Sequence, residues 1–259
     1  MRANTDRSTR LAFDKIADDY STGRSDVDNS TVDRLVELAG WVPGDCILEI
    51  GAGTGQLTIP LAQRGLVVTA IEPGPAMAIE LRRRTQHFER VDVVNTFYEE
   101  FVAGGRVSGV VAANSFHWLD PRTAYDRVAS QLVDGGTLAL MWNFPVAADD
   151  GVQRVLNEGA WTAPLQDLRR EVASETTVLD RSLAEGRREL LESDHFGAPM
   201  WEMTTVEERW SLERLTRFCA SLASTTGYAE LIAERLSGIE LHEPIHMLNR
   251  VYVLVAHRA

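Results

Sequence analysis

The feature that most constrains this chain is the run Cys46-Ile47-Leu48-Glu49-Ile50, which passes at once into Gly51-Ala52-Gly53-Thr54-Gly55. A short apolar run that ends in spaced glycines reads as a buried parallel strand entering a tight loop. The backbone there must turn sharply, admit a ligand and start a helix. Glycine suits all three demands, because it tolerates positive φ and has no Cβ. The helix is expected over Thr54–Arg64, with Gly65 as its stop. The segment 66–72 (LVVTAIE) is then a second strand, and Pro75 opens a second helix through Arg84. Segments 91–97, 108–116 and 137–144 supply three more strands, with a helix over about Pro121–Leu132 between the last two.

Strands alternating with helices imply right-handed crossovers and a parallel sheet covered on both faces, an α/β doubly wound, Rossmann-like core. Upstream, Leu11, Phe13, Ile16 and Ala17 fall at helical spacing, and Ser30 or Thr31 can cap a helix to about Gly40. The alternation stops after Phe144. Residues 145–198 read as helices punctuated by Pro145, Pro164 and Pro199, and strands follow at 200–210 and 245–258.

The glycine loop alone fits two ligands, a dinucleotide or a nucleoside carrying an amino acid. The dinucleotide fingerprint is G-x-G-x-x-G/A, whereas this loop is G-x-G-x-G followed by Gln56. A pyrophosphate needs the bare helix N-terminus, while a methionine moiety can lie along the loop beside an acidic residue such as Glu49. Glu72 closes the second strand, where a βαβ unit brings a carboxylate beside the first loop to accept from both ribose hydroxyls. Its bland alternative is a surface Glu before the Pro73-Gly74 turn.

Charge narrows the partners. A formal net charge of −12 disfavours a phosphate backbone, so no nucleic-acid partner is expected, and Arg82-Arg83-Arg84 reads as a solvated helix face. No run approaches the ~18 apolar residues of a membrane span, and the basic N-terminus lacks the apolar stretch of a signal peptide. The two cysteines make no disulfide framework, and Cys46 reads as a buried filler. A cytoplasmic location is the resulting expectation. The scattered histidines offer no ligand spacing, so no metal site is predicted.

ILEIGAGTG, the AIEPG that follows it and the downstream FHWLDP resemble the class I S-adenosylmethionine-dependent methyltransferases, in the branch around trans-aconitate methyltransferase. FDKIADDY is similar to that family's N-terminal helix, LVDGGTLALMWNF to its G-G-strand-W-N segment, and HFGAP with a Trp-rich strand to the start of its last hairpin. The resemblance implies a seven-stranded sheet in the order 3-2-1-4-5-7-6 with strand 7 antiparallel. It implies S-adenosyl-L-methionine as cofactor and S-adenosyl-L-homocysteine as product. Gly51, Gly53 and Gly55 would line the methionine end with Ala52, and Glu49 would lie nearby. Glu72, followed by Pro73, would hold ribose, Thr96 and Phe97 would flank adenine, and Asn114 and Ser115 would face the methionine part. Relatives often place Asp near the Phe97 position, so adenine here would rely on stacking and backbone contacts. Tyr20 and Arg24 lie on a segment that in this family folds over the cofactor, where Tyr20 can face the sulfonium.

Methyl transfer from a sulfonium asks the protein chiefly to hold acceptor and methyl about 3–3.5 Å apart and to exclude water. A base helps only where the acceptor must lose a proton. His117, past the fourth strand, is the candidate base; it can equally shape the pocket wall with Trp118 behind it. Trp142, Asn143 and Phe144, with Trp161 and His195, are candidates for an apolar or planar acceptor pocket. A polycarboxylate would require Arg in that pocket, for which the insertion offers Arg154, Arg169 and Arg170. The expected layout is a lid helix over 1–29, a cofactor-binding core over 30–144, a helical cap over 145–198, and the last strands over 199–259. The expected function is methyl transfer to O, N or C of a small-molecule acceptor. Action on a protein or RNA, and a non-catalytic sensor, are the rivals.

Overall fold

A computed structural model describes residues 7–159, 178–222, 234–238 and 243–259. Its seven strands are β1 (Cys46–Ile50), β2 (Val67–Ile71), β3 (Val91–Val94), β4 (Val107–Ala113), β5 (Leu132–Ala147), β6 (Met200–Trp210) and β7 (Ile245–His257). They form one sheet in the order β3-β2-β1-β4-β5-β7-β6, with β7 antiparallel to both of its neighbours. This is the expected doubly wound fold. Because β7 alone is reversed, the carboxyl ends of the other six strands share one rim, and β7 begins there.

The helices are α1 (Arg7–Arg10), a 3-10 turn over Leu11–Ile16, α2 (Ala17–Gly23), α3 (Asn29–Ala39), α4 (Thr58–Gln63), α5 (Pro75–Thr85), α6 (Pro121–Gln131), α7 (Asp150–Gly159), α8 (Val178–Glu192) and α9 (Leu212–Leu222). Strand alternation sorts the core into two layers. Ile47, Val68, Val111, Met141 and Val253 meet α3, α4 and α5 through Val32, Leu35, Leu61 and Leu81. Leu48, Val110, Leu140 and Leu254 meet α6 and α8 through Tyr125, Val128, Leu183 and Leu190. A third cluster joins α7 and α9 to the rim, with Leu156, Leu215 and Phe218 against Ala147, Trp210 and Met247.

Several boundaries differ from the expectation. Asp28, not Ser30 or Thr31, caps α3, its carboxylate accepting from Ser30 N at 2.8 Å, and Gly40 ends that helix at φ 67°. Helix α4 begins at Thr58 rather than Thr54, because left-handed Gly53 and Gly55 prolong the loop. Strand β5 reaches Ala147, since β7 pairs with it from Thr137↔His257 to Ala147↔Met247. Of the span 145–198, expected as a cap, residues 160–177 lie outside the described residues. Residues 145–147 are strand, and α7 packs with α9 near the rim. Helix α8 instead covers the α6 face, where Gly186 lies against the Trp142 ring. Cys46, the first residue of β1, is exposed rather than buried, whereas Cys219 of α9 is buried.

Candidate active site

One cavity of about 340 Å³ opens along the strand rim and passes from Arg10, Glu72 and Met77 at one end to Glu208, Trp210 and Asn249 at the other. This is where open α/β sheets bind ligands. Its β1–β2 end is built on the glycine loop. Gly51 N and Ala52 N donate to Ile71 O, at 2.8 and 3.0 Å, which folds the loop across the end of β2. Gly51 has φ 68°, and a Cβ there would lie 2.5 Å from Ser115 Cβ. Gly53 has φ 58° and meets the Tyr20 ring, so the space above the loop is kept by missing side chains. Gly55 faces neither: it packs under Leu81 of α5, where a Cβ would come within 2.8 Å.

Glu72 is buried beside this loop. One carboxylate oxygen accepts from Gly53 N and the other from Gly74 N, both at 2.8 Å. Burial pushes its carboxyl up to about 7, against the pull of those two N–H groups, and nearby Asp14 adds to the rise. Glu49 lies beneath, accepting from Thr58 Oγ1 at 2.6 Å, and burial pushes it up to about 8. Glu49 and Ala52 line a smaller recess of about 40 Å³ beside the main cavity. Asn114 takes φ 52°, a backbone state that Asn tolerates better than most residues. Its side chain pairs with Asn143 across the ends of β4 and β5, while Ser115 Oγ donates to Ile50 O.

The N-terminal segment closes one wall. Asp14 accepts from Ala76 N and Met77 N, at 2.5 and 3.1 Å, and so caps α5 from outside it. Phe13 bridges Tyr20 and Trp118, with ring centroids 6.3 and 6.1 Å away. The Arg24 guanidinium lies 4.5 Å over the Tyr20 ring, and its Nε donates to Ser221 Oγ at 3.2 Å. Gly23 is pressed so closely on α9 that a Cβ would lie 2.5 Å from Phe218 N. Arg84 is no solvated cation: it donates to Thr54 O at 2.8 Å and pairs with Asp26, tying the glycine loop to this segment.

Of the residues singled out in the sequence, Tyr20, Arg24, Gly51, Gly53, Glu72, Pro73, Asn114, Ser115, His117, Trp118 and Asn143 line the main cavity. Thr96 and Phe97 do not. Phe97 is covered by the Arg7 and Arg10 guanidinium groups at 4.5 and 5.0 Å, and Tyr98 turns inward in its place. Trp142 is buried on the α8 face, because alternation along β5 sends it opposite to Asn143. His195 sits at the other end of the sheet and meets Asp126 at 2.9 Å. Since β6 runs parallel to β1, a residue before it cannot reach the rim. Phe144 lies within β5, and the side-chain description does not extend to it; Trp161, Arg169 and Arg170 lie outside the described residues. Arg154 is exposed on α7. The sequence reading missed Arg10, Phe13, Ser25, Glu208, Trp210 and Asn249 as wall residues. The only advance signal was the FDKIADDY motif, which contains Phe13.

Among the described residues no His, Cys, Asp or Glu cluster is placed to hold a metal, and no helix is long and apolar enough to cross a membrane. Residues 48–138 match the family described as "Methyltransferase domain". An uncharacterized methyltransferase of Mycobacterium tuberculosis is 35% identical over 137 residues, which is 53% of this chain and 54% of that protein. The chain thus spans about half the length of the curated relatives it matches first. A probable ribosomal RNA small subunit methyltransferase A of Methanosarcina acetivorans is 43% identical over 68 residues, 26% of this chain and 25% of that one. In structure, a putative type II methyltransferase from Anaeromyxobacter dehalogenans aligns with TM-score 0.61 at 18% identity, covering 90% of this chain and 97% of that one. Residues 48–138 thus match the methyltransferase-domain family, and the chain shares its fold with that solved methyltransferase.

Proposed function

We propose that this chain transfers a methyl group from S-adenosylmethionine to an O, N or C atom of a small molecule held at the β5–β7 end of the cavity. The observation that carries the reading is Glu72. It is a buried carboxylate at the end of β2, oriented by two backbone N–H groups and set beside a loop whose glycines leave no side chains in the way. These residues fit the cofactor. Glu72 would accept from the ribose hydroxyls, Gly51 and Gly53 would leave room for the methionine part, and Arg24 would face its carboxylate. When bound, the cofactor supplies an electrophilic methyl on a sulfonium whose positive charge already activates the leaving group.

The protein's contribution is then position and exclusion of water. The linked Asn114 and Asn143 side chains hold the ends of β4 and β5 together, between the two ends of the cavity. Phe13, Tyr20 and Trp118 form an aromatic wall over the glycine loop. His117, on the 3-10 turn Phe116–Trp118, is the candidate to take a proton from an acceptor that carries one. The N-terminal segment would serve as a lid, and α9 with α7 as the cap of the acceptor end.

Methyl-labelled S-adenosylmethionine, incubated with the protein and either a metabolite fraction or total RNA, tests this reading. Label recovered in small molecules supports it. Label recovered in RNA replaces the acceptor class, and binding of cofactor without transfer to either fraction favours a sensor.

A further inference from the structure

We propose that the methyl acceptor is held through a hydrogen-bond donor of its own, a hydroxyl or an amine, received by Glu208 beside Asn249; this rests on the reading of the cavity given above. The two oxygens of Glu208 are unequal. Oε2 accepts from Ser25 Oγ at 2.8 Å, Trp210 Nε1 at 2.9 Å and Arg214 Nη2 at 2.5 Å. Oε1 accepts, among the described residues, only from Asn249 Nδ2 at 3.4 Å, the long edge of a hydrogen bond. Asn249 Oδ1 is buried and has no hydrogen-bond partner among the described residues. Both residues line the cavity.

A carboxylate oxygen offers two lone pairs, so Oε1, with its single long bond, presents an acceptor to the cavity and asks for a donor. The cations nearby are directed elsewhere, Arg24 toward the cofactor end in the reading given above. Arg214 is held on Glu208 and lies 4.2 Å over the Trp210 ring, while Arg24 lies between the Tyr20 and Phe218 rings and binds Ser221. Pro145, Trp210 and Phe218 supply apolar surface to the same lining. Such a site suits a flat or apolar body with one O–H or N–H directed at Oε1. It disfavours a carboxylate, whose oxygens would meet the like charge of Glu208. The polycarboxylate suggested by the family resemblance is therefore replaced by a neutral or basic acceptor.

The pinning of Oε2 also predicts what a substitution does. In Glu208→Gln the three donors keep the amide oxygen on their side, which turns the NH₂ group into the Oε1 position. The wall then offers a donor where it had offered a lone pair.

Benzyl alcohol, benzylamine and benzoate are the probes, titrated into full-length protein with and without saturating S-adenosylhomocysteine. The expected result is that wild type binds the alcohol or the amine at least fivefold more tightly than benzoate, and the better of the two identifies the donor. Glu208→Gln is expected to erase or reverse that preference while S-adenosylhomocysteine affinity changes less than twofold. Asn249→Asp, a second test independent of the first variant's folding, should weaken benzoate further and tighten benzylamine. Benzoate binding as tightly as the other two, no binding of either donor-bearing probe, or an unchanged preference in both variants overturns the proposal. Failure of S-adenosylhomocysteine to bind wild type sinks the cofactor reading alone, because the probes are also read without it.

Discussion

At its β1–β2 end the floor of the cavity is backbone from one stretch of chain, the loop after β1 and the turn after β2, with Glu72 bridging Gly53 N and Gly74 N. At its β5–β7 end the wall is side chains from distant segments. Ser25 reaches Glu208 across 183 positions of sequence, and Arg24 reaches Ser221 across 197. The first end is set by local conformation, and a single Cβ can spoil it. The second is set by the register of the β5–β7–β6 ladder and by packing of the N-terminal segment on α9, so its chemistry can change without disturbing the loop. That division suits an enzyme whose cofactor is constant across a class and whose acceptor is not.

The sharpest way to break this contrast is Gly51→Ala. Alanine at φ 68° is strained, and its Cβ would overlap Ser115 at 2.5 Å, so S-adenosylhomocysteine affinity should fall at least about 100-fold by calorimetry. An effect within threefold would mean that the loop is not the cofactor's seat. A smaller change comes from proton occupancy of Glu72. The ribose hydroxyls need its ionised form, and burial holds that carboxyl up to about 7. Affinity should therefore rise about tenfold from pH 6 to pH 8 and lose that slope in Glu72→Gln. A slope that survives the substitution would assign it to another group.

Gly23→Ala probes the other end. Its Cβ would run into the backbone of Arg217 and Phe218, and separating α2 from α9 should cost about 2 kcal/mol in denaturant unfolding. Cofactor affinity should fall by less than tenfold, far less than in Gly51→Ala. A further test, read in pH dependence rather than affinity, is Glu49→Gln. The folded carboxyl of Glu49 lies at about 8, above its ordinary value of 4.5, so the native state holds a proton that the unfolded chain releases. The resulting stability is present below about 4.5 and is lost as pH rises through about 8. The melting temperature of the variant should decline less between pH 5 and pH 8.5 than that of wild type; a parallel decline would place the buried proton elsewhere.

The same division explains which parts could be read from the sequence. The order of the sheet and the residues of the glycine loop follow from short-range signals: apolar runs, glycines at fixed spacing, a carboxylate at the end of the second strand. Trp142 and His195 were misplaced because composition suggests an aromatic pocket without saying which face of β5, or which end of β6, a side chain takes. Face and end are decided by register, and register is set by β7, far along the chain. Glu208 and Asn249 carry no motif. They become a site only when β6 and β7 pair and bring them to the same rim. Thr96 and Phe97 show the limit of transfer by position: the chain after β3 turns Tyr98 inward and leaves Phe97 under two arginines.

The most direct test of the central claim is calorimetric titration of the purified chain with S-adenosylmethionine, S-adenosylhomocysteine and NAD, repeated on Glu72→Ala. The account predicts binding of the first two and not the third, weakened at least tenfold by the substitution. No binding of either, tighter binding of NAD, or affinity unchanged in Glu72→Ala would contradict it.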